Sequence, residues 1–213
     1  MPVAHSCFIS YTDGWTEEYE AIIAAIEKRL TESIQWHLNL KPWRYTTDQA
    51  VGALFNKVIA ARLCQSVSMV ALYVPRYEVS EMCIREYVAM EDIERTRQQV
   101  LGIGPADDLP MVIPIILRKR RKGQLPDWIA NSRNYLDLTS YVTPDRPLIE
   151  ALKHPDCVRK FDDIAETMSE IFRRLATHDP DPCNGCETEL PNDQRVRARY
   201  IGQPPETLPL RTN

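Results

Sequence analysis

A chain of 213 residues, 44% hydrophobic and 26% charged, has the make-up of a globular domain of about 150 residues with an extension. Its net charge of −4 and pI near 5.6 argue against a general nucleic-acid binder, which carries a basic surface. No apolar run approaches the roughly 20 residues that span a bilayer, and no basic segment followed by a hydrophobic stretch opens the chain, so a cytoplasmic protein is expected.

Strand and helix signals alternate from the N-terminus onward. Cys7 to Tyr11 reads as a short apolar strand, closed by the turn formers Thr12, Asp13 and Gly14. Thr16 to about Gln35 is helical in period, with Tyr19, Ile22, Ile23, Ile26 and Leu30 on one face. Leu38 to Tyr45 fits a second strand, and Pro42 assigns it to a sheet edge. A polar loop, Thr46 to Val51, precedes a helix over 52–65.

Val67 to Val74 is almost wholly apolar, the pattern of a strand buried on both faces of a parallel sheet. Pro75 stops it, and a helix runs from Ser80 to about Gln98. Beyond a Gly/Pro/Asp loop at 102–110, Met111 to Leu117 forms another buried strand, with a bulge or irregular step expected at Pro114. Tyr135 to Leu138 is a short last strand near an edge, and Phe161 to Leu175 a closing amphipathic helix. Alternation of this kind implies right-handed crossovers and an open parallel sheet with helices on both faces. From about residue 177 the composition changes: 6 of the 16 prolines fall in 180–213, and a tail or extended arm is expected there.

Cys7, Cys64, Cys83 and Cys157 lie in apolar or helical contexts and read as buried thiols of a reducing compartment. Cys183 and Cys186 form a CxxC in the tail, five residues beyond His178; with no second CxxC to complete four ligands, a tail disulfide or free thiols are expected there and no metal site. Arg118 to Lys122 is a run of five cations, read as a solvated loop or as an electrostatic contact with an acidic partner, another subunit or a nucleic acid.

One carboxylate stands out. On the helical period Met82, Cys83, Glu86, Ala89, Met90 and Ile93 share a face, and Glu86 sits near its centre. An ionised carboxylate facing a core is costly, so Glu86 either pairs with an arginine at the rim or lines a cleft. In a doubly wound sheet ligands bind beyond the carboxyl ends of the strands. The segments leaving those ends bring together Ser10, Tyr11, Asp13, Arg44, Tyr45, Tyr77, Ser80 and Glu86, a set suited to flat rings and sugar hydroxyls. No G-x-G-x-x-G follows the first strand, and no P-loop or G-x-S-x-G occurs. The histidines His5, His37, His154 and His178 fall outside those strand ends, which disfavours a Ser-His-Asp hydrolase. A receiver-like phosphate sensor is disfavoured too, since only Asp13 follows the first strand.

C-F-I-S-Y-T-D at 7–13, A-R-L-C-Q-S-V-S-M-V-A-L-Y-V-P at 61–75 and Y-x-x-S-x-x-C-x-x-E from Tyr77 to Glu86 together resemble a TIR (Toll/interleukin-1 receptor) domain over about residues 5–175. The resemblance implies a flavodoxin-like five-stranded parallel sheet in a domain over 1–176, followed by a Pro-rich tail over 177–213. It also implies an NAD+ glycohydrolase or cyclase with Glu86 as the catalytic carboxylate, NAD+ being substrate and no cofactor being needed. Ser10 and Tyr11 would then meet the dinucleotide, Arg44 a phosphate, and Tyr77 a ring, with Met82 and Cys83 beside Glu86. Family enzymes often place an aromatic, commonly Trp, where this chain has Met82, and the loop after the second strand lacks a lysine. The expected setting is defence signalling by a homo-oligomer held through TIR contacts, with a regulatory protein partner. The alternative is a non-enzymatic assembly adaptor working through the loop at 45–52.

Overall fold

The doubly apolar run forms β3 (Ser66–Tyr73), and every residue in it is buried. In the computed structural model, which describes residues 3–12, 16–45, 54–104, 107, 109–131, 134–141, 147–178, 190–192 and 196 (position 54 for its backbone alone), β3 is the middle of a five-stranded sheet. The other strands are β1 (His5–Ser10), β2 (Lys41–Arg44), β4 (Val112–Ile116) and β5 (Leu136–Asp137). All pairings are parallel and the order is β2-β1-β3-β4-β5. That order defines the open flavodoxin-like α/β fold, whose chain reverses direction across the sheet between β1 and β3.

The crossovers are α1 (Glu17–Ile34), α2 (Leu54–Cys64) and α3 (Glu81–Leu101), and α6 (Pro155–Ala176) is the last long helix among the described residues. Helix α1 packs on α6 and α2 packs on α3. Because the first crossover runs one way along the sheet and the next two run the other, right-handed connections place these pairs on opposite faces. Two single-turn helices, α4 (Asp127–Ala130) and α5 (Leu148–Ala151), sit in the connections around β5; their turns carry no periodic signal long enough to read.

Pro42 lies in β2, at the sheet edge as expected. Pro114 corrects the sequence reading: it pairs in register with Ala71, with no bulge. The reason is the parity of a parallel ladder. Met69 N–H donates to Met111 O at 2.7 Å and Leu117 N–H to Tyr73 O at 2.9 Å, so odd-numbered residues of β4 bond to β3. Pro114 is even, and its missing N–H faces the β5 side, where pairing starts only at Ile115.

Helix α6 starts at Pro155, six residues before the expected Phe161. Proline at its first turn needs no N–H donor, and His154 caps it by accepting from Asp156 N–H at 3.2 Å. Gly102 ends α3 in the left-handed conformation, at φ 63°, where a β-carbon is disfavoured. The tail does not leave the domain entirely. Leu190 joins the core at 5% exposure, and Pro191 O accepts from Arg85 Nε at 2.7 Å. Burying one leucine contributes on the order of 2 kcal/mol, enough to hold this short stretch against α3. Cys7, Cys83 and Cys157 are buried and form no disulfide, whereas Cys64, expected as a reduced thiol, is disulfide-bonded.

Candidate functional site

Beyond the carboxyl ends of β1 and β3, at the reversal of strand order, lies a cavity of about 250 Å³. Three pieces of chain build it. The end of β1 contributes Phe8, Ile9, Tyr11 and Thr12; the segment after β2 and the start of α2 contribute Tyr45 and Phe55; the connection from β3 into α3 contributes the rest. That connection is a short 3-10 helix, Pro75–Val79, followed by Ser80 as the N-cap of α3. Ser80 Oγ accepts from Cys83 N–H at 3.4 Å, which orients the first turn of α3. Cys83 and Glu86 then follow one turn apart on the cavity side.

Glu86 is buried, at 6% exposure, and lines the cavity. Its Oε2 accepts a hydrogen bond from Ser10 Oγ at 2.5 Å. Ser10 has a single hydroxyl proton, committed to the carboxylate, so the 2.8 Å contact between Ser10 Oγ and the Tyr77 hydroxyl is donated by Tyr77. A longer contact, 3.3 Å, runs from the same phenol to Cys83 O. The result is a directed chain: Tyr77 to Ser10 to Glu86. Burial raises the Tyr77 phenol well above its ordinary value of 10, so it stays a donor. Cys83 Sγ donates to Tyr11 O at 3.3 Å and Tyr11 OH to Tyr45 O at 2.7 Å, stitching the walls together.

Of the ten residues singled out in the sequence, six line the cavity: Tyr11, Tyr45, Ser80, Met82, Cys83 and Glu86. Asp13 lies outside the described residues, as does the loop at 46–52. Ser10 is 1% exposed and lies behind the carboxylate, so it orients Glu86 where contact with a dinucleotide was expected. Tyr77 is fully buried, and its ring cannot stack on a ligand. Arg44 turns away: its Nε lies 2.7 Å from Glu27 and its NH1 3.7 Å from Glu20, both on α1. Alternation along β2 explains this, since Trp43 packs against Phe8 at 5.0 Å and its neighbour must face the other side.

Sequence reasoning missed Phe55 and Arg76. Phe55 meets Tyr45 edge-on, centroids 4.8 Å apart, and the two give the cavity a ring wall that Met82 does not supply. Arg76 follows the proline that ends β3, where the sequence shows only a strand stop. The five-cation run divides: Lys119 pairs with Asp137 at 2.5 Å and Arg120 with Glu78, while Arg118, Arg121 and Lys122 are exposed. No cluster of potential metal ligands occurs among the described residues, and none of the described helices is long and apolar enough to cross a membrane. No family model and no curated protein sequence matches the chain, so its function has to be argued from the site.

Proposed function

We propose that the chain is a TIR-type NAD+ glycohydrolase, with Glu86 as its catalytic carboxylate. The observation that carries this reading is a buried glutamate, oriented by a serine, facing a ring-walled cavity at the switch point of the sheet. A carboxylate in so dry a place suits a reaction that develops positive charge beside it. Cleavage of NAD+ does so: the bond from ribose C1′ to the pyridinium nitrogen breaks, the electron pair leaves with nicotinamide, and the ribose becomes oxocarbenium-like. The leaving group departs neutral, so no general acid is needed. Water then adds to C1′ and gives up a proton, yielding ADP-ribose; attack by an adenine nitrogen instead gives a cyclic isomer.

Glu86 stabilises the cationic ribose, and Ser10 and Tyr77 hold its carboxylate in one orientation. Tyr45 and Phe55 supply flat surfaces for the departing ring. Family resemblance adds defence signalling and assembly of copies through TIR contacts, under a regulatory partner, as the setting of the reaction.

The test is to incubate the full chain with NAD+ across a range of protein concentrations and separate the products, alongside Glu86→Gln and Glu86→Ala. Nicotinamide release by the wild type and a loss of at least ~10²-fold in both variants are expected, the effect of removing one electrostatic group. Activity surviving in both variants removes Glu86 from the mechanism. No release at any concentration favours the assembly adaptor.

A further inference from the structure

Among the described residues that line the cavity two are charged, and they are of opposite sign. Glu86 is buried in its floor, and Arg76 is exposed at its rim; the other described lining residues are neutral. Nearby arginines are committed elsewhere: Arg44 to Glu27 and Glu20, Arg85 to Glu81 and Pro191 O, Arg120 to Glu78. Arg76 pairs with no carboxylate among the described residues.

The backbone that carries it is held on both sides. Tyr77, next in the chain, is fixed by its bonds to Ser10 and Cys83 O. Glu78 accepts from Tyr73 OH at 2.5 Å and from Arg120 Nε at 2.8 Å. Tyr77 N–H donates to Val74 O at 2.8 Å, and Ser80 N–H to Tyr77 O at 3.2 Å. Arg76 is therefore an exposed side chain on a fixed base, at the edge of the cavity that it lines.

At about 250 Å³ the cavity is smaller than the roughly 300–1,000 Å³ of clefts that enclose whole drug-sized ligands. A cavity of this size has room for one half of a dinucleotide, which would leave the diphosphate at the rim. We propose that Arg76 binds the 5′-phosphate on the scissile ribose, so that the site recognises a nicotinamide mononucleotide unit rather than the bare nucleoside. The charges match end to end: pyridinium and developing oxocarbenium towards Glu86, phosphate towards Arg76. A guanidinium fork suits phosphate oxygens bidentately, which a lysine does not reproduce.

This inference rests on the hydrolase reading for its substrate but not for its binding test. In the cleavage arm, kcat/KM is measured on NAD+, nicotinamide mononucleotide and nicotinamide riboside for wild type, Arg76→Ala and Arg76→Lys. Arg76→Ala should lose about tenfold on both phosphorylated substrates, mostly in KM, and nothing on the riboside; Arg76→Lys should recover part of it. Equal losses on all three substrates, or none, overturn the assignment. In the binding arm, ADP-ribose is titrated into wild type and Arg76→Ala by calorimetry, with about tenfold weaker binding expected in the variant. Arg76-dependent binding without any NAD+ cleavage overturns the hydrolase and keeps the phosphate site. Cleavage with a substrate preference indifferent to Arg76 does the reverse. Absence of both cleavage and binding overturns the two together.

Discussion

Helix α3 carries two buried carboxylates, Glu86 and Glu94, each 6% exposed, and they do different work. Glu94 Oε1 accepts from Met111 N–H at 2.7 Å, where the chain enters β4. One turn further on, fully buried Arg97 donates to Cys64 O at 2.8 Å, Ser66 O at 2.7 Å and Val67 O at 3.3 Å, closing the turn from α2 into β3. Glu86 instead meets a side-chain hydroxyl and lines a cavity. Burial of a carboxylate is thus no mark of a site. What distinguishes the two is that Glu94 serves backbone groups at the amino ends of strands, whereas Glu86 lies beyond their carboxyl ends and faces open space.

The sharpest way to test that contrast is at the structural end. Arg97→Ala leaves three carbonyls short of a donor in a dry site and should cost about 3–5 kcal/mol of folding stability, read by urea unfolding. Nicotinamide release per folded molecule should be unchanged. Glu94→Ala leaves the Met111 N–H unpaired and should cost about 1–3 kcal/mol, again with activity per folded molecule intact. A specific loss of catalysis in either variant, at full folding, would erase the division between the two halves of α3.

At the functional end the order reverses. Ser10→Ala removes the hydroxyl that orients Glu86 and should lower kcat about tenfold, close to the worth of one hydrogen bond to a charged group. Its stability should stay within about 1 kcal/mol of wild type, because the carboxylate still borders the cavity. Ser10→Thr, which keeps a hydroxyl, should recover part of the rate if the neighbouring strands accept the methyl. A Ser10→Ala protein with full kcat would leave Glu86 without a need for orientation.

How much of this was legible in the sequence follows from what each signal depends on. Local sequence patterns mark all five strands and four long helices, to within a few residues except at the start of α6, because periodicity is a local property. Sheet order is not local, yet it alone puts β1 beside β3 and so brings Ser10 to Glu86 across 76 residues. Glu86 was readable because a charge interrupted an apolar stripe. Glu94 and Arg97 were not, since charges that far along a helix look like its solvated side. Tyr77 and Ser10 were placed at the right strand ends but given the wrong neighbours. Arg44 was misplaced because alternation along β2 depends on which face of Trp43 is covered. Arg76 followed a strand-stopping proline and gave no periodic signal at all. The disulfide at Cys64 also weakens the support that cysteine usage lends to a reducing compartment.

The smallest effect belongs to Tyr77, one bond further from the carboxylate. Tyr77→Phe keeps the ring, which packs fully buried beside Trp128 with centroids 6.5 Å apart, and removes the hydroxyl that donates to Ser10 and, at longer range, to Cys83 O. Freed from that partner, the Ser10 hydroxyl still reaches Glu86 but with less directional restraint. A two- to fivefold fall in kcat and about 1 kcal/mol of stability are expected, the net worth of one neutral hydrogen bond. The pH dependence gives a second readout. Burial raises the Tyr77 phenol well above 10, so the protonated donor persists through neutral and moderately alkaline pH. The ratio of wild-type to Tyr77→Phe rates should therefore be flat from about pH 7 to about pH 10. A ratio that falls towards one below pH 10 would mean that the phenol ionises there, and the chain from Tyr77 through Ser10 to Glu86 would not be the arrangement that sets the rate.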